Sequence, residues 1–501
     1  MLLPVFASCL SAFSLATLVS AAPAASSSAA AVPSSASQLA SSPAASQTVS
    51  APEATATVPY ASADPNAPMW GPDDSDTTLA PIRGSLGAPI MGPENYPLEQ
   101  QNPDLLAPPT TDAGSVSNAK WPFSLSHNRM QTGGWARQEN IGVMPIATSM
   151  ASVNMRLEPG AIRELHWHKT SEVLGICPQG TRHQQRPCAG ADISSQGSTQ
   201  VTSVDAEGRN FLATVGPGDL WFFPPGIPHS LQATNDSAGG SEFILVFDDG
   251  AFSEDSTFLL TDWLAHVPAE VIQKNFQANP DAFSHIPAKE LYIFPSEPPS
   301  SDAVAPDSPQ GQVPNPFTFA LSKVNGTKTA AGSVKIVDST SFTVCSGYRT
   351  PSRRLKSPLN LVLSGKYHLH MCERLLIHCC CRELHWHPTM DEWSFFIEGQ
   401  GRVTIFASQG NARTFNYQPG DIGFVPTAMG HYVENTGNTT LRYLEIFNTD
   451  KYQDISLNQW LALTPPDLVK AHLQLSDETI ASLSKTKPVV IGPKDAAPEY
   501  Q

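Results

Sequence analysis

Arg163-Glu164-Leu165-His166-Trp167-His168 recurs letter for letter as Arg382-Glu383-Leu384-His385-Trp386-His387. An identity that includes a tryptophan and two histidines marks a duplicated unit. The copies stay parallel downstream. Gly218-Asp219-Leu220, which leads to Pro228-His229, answers Gly420-Asp421-Ile422, which leads to Gly430-His431. Trp263-Leu264-Ala265 with Pro268 answers Trp460-Leu461-Ala462 with Pro465. The chain therefore carries two homologous domains in tandem.

Within each copy the local pattern is β. Ser152 to Leu157, Phe243 to Phe247 and Arg402 to Phe406 are short, apolar or alternating, and punctuated by Gly, Pro and Asn. Helical periodicity comes only afterwards, over Thr261 to Phe276 and Leu457 to Leu473. Strands followed by a short helical excursion, twice, predict an all-β chain of two closed barrels or double-sheet jelly rolls.

Side chains alternate along a strand, so His166 and His168 project to one face, as do His385 and His387. Glu172 and Glu392 follow each pair, and His229 and His431 arrive from distant strands after Pro-rich turns. Three imidazoles and a carboxylate converging inside a barrel form a divalent-metal site. Open positions and N/O ligands suit Mn, Fe or Ni better than a closed zinc site. A buried polar set of this size without a metal would be costly.

These residues resemble the two motifs of the cupin superfamily. The first copy departs at Gln179 and Ala233, and the second at Cys379 and Ala428. The duplicated RELHWH arrangement resembles the secreted fungal and bacterial bicupin oxalate decarboxylases over about residues 95 to 490. The resemblance implies two tandem cupin (double-stranded β-helix) barrels, with Mn(II) in each and dioxygen as co-catalyst. It implies oxalate as substrate, formate and CO2 as products, and a homo-oligomer built from trimers or hexamers. By matching position, Arg163 holds metal-bound oxalate, and Glu254 on a mobile lid, Ser253-Glu254-Asp255-Ser256, accepts and returns a proton. Arg382 and Glu445 are the matching groups of the second domain, where the first has apolar Val246 or a neighbour. The rival readings are an oxalate oxidase, which makes CO2 and peroxide for want of the lid acid, and a storage-type or degenerate bicupin.

The rest of the chain fits export. Residues 1–21 read as a signal peptide, apolar and uncharged from Leu2 to Val19, with Val19-Ser20-Ala21 as the cleavage site. Residues 22–94 form an Ala/Ser/Pro-rich leader expected to be disordered. The N-terminal domain is expected over 95–290, the C-terminal domain over 291–490, and a flexible tail over 491–501. Sequons at Asn235, Asn325 and Asn438 suit a secreted glycoprotein. The formal net charge is −16, with only 30 Lys and Arg in 501 residues, which argues against nucleic acid and anionic membrane as partners. Beyond the leader no run is long and apolar enough to span a bilayer.

Two stretches break the repeat. His168 and His229 are 61 positions apart, whereas His387 and His431 are 44 apart. The excess falls in residues 173–200, which replace the strand that the second copy writes as Trp393-Ser394-Phe395-Phe396-Ile397. A second excess runs through residues 345–381. All cysteines except Cys9 lie in these two stretches. Their lengths and foreign composition suggest introns carried into the coding sequence, with surface insertions or a decayed copy as the alternatives.

Overall fold

The computed structural model describes residues 80–169, 173–176, 197–346, 370–376, 380–449 and 452–492. Residues 1–79, which hold the expected signal peptide and most of the expected leader, Glu172, and the expected tail from residue 493 lie outside these described residues.

Two β-barrels are each built from a six-stranded and a seven-stranded antiparallel sheet. In the first, Ile162–Trp167 pairs with His229–Ala233, Phe258–Leu259 and Ile293–Phe294. The facing sheet runs through Ala151–Leu157, Ser241–Phe247, Val173–Ile176 and Leu220–Phe223. The second barrel repeats this plan with Cys381–Trp386 at the centre of one sheet and His370–Leu376, Leu441–Phe447, Glu392–Glu398 and Asp421–Val425 in the other. The expected helical excursions are present, each divided in two before a proline: Leu260–Ala265 and Ala269–Phe276, then Leu457–Leu463 and Pro466–Leu473. Pro268 and Pro465 supply no N–H to continue the preceding helix. No described helix is long and apolar enough to cross a membrane.

The barrels exchange strands. Lys120–Pro122, which precedes the first barrel in sequence, pairs with Asp421–Val425 of the second. Thr318–Phe319, which precedes the second barrel, pairs with Leu220–Phe223 of the first. One apolar core consequently runs through both, from Val153, Leu245 and Phe247 to Trp393, Phe424 and Ile446.

The exchange moves the domain boundaries expected at 95 and 290. Residues before the first barrel belong with the second: Asp104 is buried, and its Oδ2 accepts from Arg402 Nε and Asn416 Nδ2, both at 2.7 Å. Residues past 290 finish the first barrel, through Ile293–Phe294. Part of the expected disordered leader is likewise ordered. Ile82–Arg83 and Leu86–Gly87 form a hairpin, and Arg83 is buried with its Nη2 2.9 Å from Asp104 Oδ1. A single arginine finding a buried acid anchors a segment whose composition alone would leave it unfolded.

The anomalous stretches are narrower than the sequence implies. Val173–Ile176 pairs in register with both Leu220–Phe223 and Ser241–Phe247, so the first barrel keeps the strand that was expected to be lost. It has four residues where Glu392–Glu398 has seven. His370–Leu376 starts eleven positions before Cys381–Trp386, the same offset by which Ala151–Leu157 precedes Ile162–Trp167, and it pairs along its whole length with Leu441–Phe447. Residues 177–196 and 347–369, where the excess length falls, lie outside the described residues.

Candidate metal centres and lid

A regular strand would place Arg163 and His166 on opposite faces, because they are an odd number of residues apart. The register between Ile162–Trp167 and His229–Ala233 shifts between the pairs His229 with His166 and Leu231 with Arg163. This bulge turns Arg163, His166 and His168 all inward, where each is buried, and sends Leu165 outward. The second copy repeats it between His431 with His385 and Val433 with Arg382. The bulge is a feature that two-residue alternation does not reveal.

His166, His168 and His229 bring one ligand atom each to within 4.8 Å of one another, and so do His385, His387, Glu392 and His431. Glu172 lies outside the described residues. Apart from His168, whose Nδ1 is 3.5 Å from Thr257 Oγ1, the histidine Nδ1 atoms are engaged by backbone carbonyls: His229 with Ile227 at 2.8 Å, His385 with Glu383 at 2.7 Å, His387 with Gln453 at 2.9 Å and His431 with Met429 at 3.0 Å. His166 Nδ1 meets Glu164 O in the same way. An Nδ1–H donated outward leaves the Nε2 lone pair for a cation. Nε2 of His168 and Nε2 of His385 are buried without a hydrogen-bond partner.

Burial holds His166, His168 and His385 well below the ordinary imidazole value, and His229 at about 4. Neutral imidazole is the form that coordinates a metal. Burial by itself would raise Glu392, but His431 and His387 hold it well below the carboxylate range. Its Oε2 is 3.0 Å from His387 Nε2 and 3.1 Å from His431 Nε2. Adjacent ligands about 2.2 Å from one ion are spaced by roughly that distance. The donor set, its outer carbonyl support and its orphaned nitrogens fit a divalent cation in each barrel.

The surroundings of the two centres differ. In the first, Glu254 starts a short 3-10 turn, Glu254–Ser256, and is buried. Its Oε2 accepts from Arg163 Nη2 and from Tyr292 Oη, both at 2.8 Å, and its backbone N–H donates to Gln138 Oε1 at 3.0 Å. Glu254 Oε1 is buried with no partner. A cleft of about 450 Å³ opens beside this turn, lined by Lys169, Asp249, Phe252, Ser253, Ser256 and Phe258.

In the second barrel the matching arginine meets a different acid. Arg382 Nη2 pairs with Asp454, which Lys487 also contacts, and lies 3.1 Å from Tyr452 Oη. Asp454 is held below the carboxylate range despite its burial, by Arg382 and Lys487. Glu445 is fully buried, and its Oε2 accepts from Arg374 Nε at 2.6 Å. Burial raises its carboxyl while Arg374 pulls the other way. Strand registers ending at Phe247 and Phe447 make Leu245 its counterpart, the neighbour of Val246.

The cupin sequence profile matches residues 130–282 and 379–481. Oxalate decarboxylase OxdC of Bacillus subtilis is 48% identical over 416 residues, 83% of this chain and 97% of that protein. The chain belongs to the bicupin oxalate decarboxylases. A probable oxalate decarboxylase of Arthroderma benhamiae is 34% identical, over 82% of this chain and 93% of its own length. A solved structure of the Bacillus subtilis oxalate decarboxylase, described for its Mn(II) centres, superposes with a TM-score of 0.72 at 46% identity, over 83% of this chain and all of that one.

Of the residues expected from the sequence, the structure brings together His166 and His168 with His229, and His385 and His387 with His431 and Glu392, and sets Arg163 against Glu254, Arg382 against Asp454 and Glu445 against Arg374. Tyr292, Asp454 and Arg374, which contact these groups, are not singled out by the sequence. Tyr292 lies 38 positions after Glu254 and meets it only through the fold. Its backbone sits at φ +56°, held by Glu164 Oε2, which accepts from the N–H groups of Leu291 and Tyr292 at 2.9 Å.

Proposed function

We propose that this bicupin splits oxalate into formate and CO2 in its first barrel, with Mn(II) bound by His166, His168, His229 and Glu172. A second Mn(II) is assigned to His385, His387, Glu392 and His431. The observation that carries this reading is the buried contact of Arg163 with Glu254, an acid on a short turn beside an open cleft.

Mn(II) with dioxygen as co-catalyst supplies the one-electron chemistry that weakens the C–C bond. The protein's part is positioning and proton movement. When the lid opens, Arg163 is released to hold a substrate carboxylate by its planar fork. When it closes, Glu254 takes the proton of hydrogen oxalate. The C–C bond breaks, CO2 leaves, and Glu254 returns the same proton to the remaining carbon, forming the C–H bond of formate. Hydrogen oxalate thus becomes formate plus CO2 with no net oxidation. A carboxylate on a closing loop serves as both base and acid while the loop excludes water. Burial and the neighbouring Glu254 push the Tyr292 phenol well above its ordinary value, so it remains a donor throughout.

The second barrel supports a stabilising role for its metal. Its arginine is committed to Asp454, and Glu445 to Arg374. We also assign the chain to the secreted glycoproteins: its first residues read as a signal, and Asn235 and Asn438 are exposed. Exposed Leu165 and Trp263 on one barrel, and Leu384 and Trp460 on the other, favour assembly into trimers or hexamers. Incubating the purified protein with Mn(II), oxalate and air, with formate and peroxide measured separately, tests the reaction. Stoichiometric formate supports it, and peroxide without formate refutes it.

A further inference from the structure

Arg129 lies outside both ligand sets, on the edge strand Arg129–Gln131, yet it touches three parts of the closed lid assembly. Its guanidinium carbon is 3.6 Å from the centroid of the Tyr292 ring. Its Nη1 is 3.4 Å from Oδ1 of the lid residue Asp255, and its Nη2 pairs with Glu290, two residues before Tyr292. The Arg163 guanidinium lies 4.0 Å from the same ring centroid. The phenol ring is thus in contact with two guanidinium groups, those of Arg129 and Arg163. The ring so held is the one whose hydroxyl donates to Glu254. It also stands on a left-handed backbone, which an aromatic residue adopts only when its neighbours enforce it.

We propose that Arg129 is a positioning residue that latches the lid, fixing the Tyr292 phenol and Asp255 together so that Glu254 stays aimed inward. It contacts neither substrate nor metal ligands; it acts through Tyr292 and the lid. This rests on the reading of Glu254 as the proton donor. Closed, the lid directs the cleaved intermediate to take the proton and leave as formate. Open, the intermediate is oxidised onward, so that oxalic acid and dioxygen give two CO2 and hydrogen peroxide. The latch thus sets the ratio of the two outcomes.

Two readouts separate this inference from the reaction it rests on. Limited digestion of the resting Mn(II)-loaded protein with a glutamate-specific protease reports opening at the Glu254–Asp255 bond without any turnover. Arg129→Ala should accelerate that cut about fivefold to tenfold. In turnover, the same variant should lower kcat for formate by a similar factor, leave KM within about twofold, and raise the peroxide share several-fold. Arg129→Lys, which keeps the charge near Asp255 but loses the planar stack, should fall between the two proteins. If Arg129→Ala fails to fold, Arg129→Gln carries the same readouts. An unchanged cutting rate, or an unchanged formate-to-peroxide ratio in a protein that makes formate, overturns the latch. A wild-type protein that makes no formate refutes the reaction, while the digestion still decides the latch.

Discussion

Arg163 and Arg382 hold the same place in the two barrels but answer to different carboxylates. Arg163 gives its Nη2 to Glu254 on the lid turn, at 2.8 Å. Arg382 gives its Nη2 to Asp454, which Lys487 fastens in place. A counter-ion on a turn beside a cleft can leave and return, whereas a buried one held between two cations stays. On this contrast rests the proposal of turnover in the first barrel and a structural metal in the second.

Removing one ligand from each centre should separate these roles. His229→Ala and His431→Ala are each expected to lower bound Mn from two per chain to one. The first should abolish formate, and the second should keep it at a reduced level with a lower Tm, because metal binding stabilises the folded chain. Metal analysis beside formate measurement checks this, and the opposite pattern would move turnover to the second barrel.

The buried Glu139 gives the fold a pH dependence. Its carboxylate accepts from Ser152 Oγ at 2.8 Å and from Trp393 Nε1 of the other barrel at 3.4 Å, and burial raises its pKa to about 7. A raised acid favours the folded state fully below its unfolded value near 4.5. That stability drains away as pH rises from there through about 7, by at most about 3 kcal/mol. Thermal unfolding should therefore show Tm falling across this window, and Glu139→Gln should flatten the fall. An unaltered pH profile in the variant would remove Glu139 as its source.

Gly226 and Ala428 occupy the same turn before the third histidine, at φ +77° and +66°. An alanine in this left-handed region is strained by about 1–2 kcal/mol, partly offset by the lower entropy of its unfolded chain. Ala428→Gly should raise stability by roughly 0.5–1 kcal/mol. Gly226→Ala should lower it by a similar amount, since nothing crowds that position and only backbone strain changes. Paired denaturation curves check both signs.

The exchanged strands predict one cooperative unit. Lys120–Pro122 completes the second barrel, and Thr318–Phe319 completes the first. A fragment starting at residue 291 lacks Asp104 and the strand that pairs with Asp421–Val425, so it should not fold alone. Calorimetry of the whole metal-loaded chain should show a single transition, and two separable ones would contradict the shared core.

The repeat made the architecture legible, because ligands on alternating strand positions leave a spacing that survives in the sequence. What it concealed was contact made across the fold. Tyr292 reaches Glu254 through a left-handed turn that Glu164 holds, and no local spacing encodes that. The bulge that turns Arg163 inward breaks the alternation from which its direction would be read. Val173-Leu174-Gly175-Ile176 is a short apolar run beside an excess of length, and only its pairing partners identify it as a strand. The strand exchange is hidden for a related reason: composition marks where a segment can fold, and only the pairing shows on which barrel it does.

Glu254 is the group on which formate formation most directly depends in the proposed reaction. Glu254→Gln keeps the side chain's shape and removes the proton it exchanges, so formate production should fall by about two orders of magnitude or more. Bound Mn should stay at two per chain, with oxalate still consumed and peroxide now the main co-product of CO2. Formate released at the wild-type rate by a Glu254→Gln protein carrying both metals would contradict it.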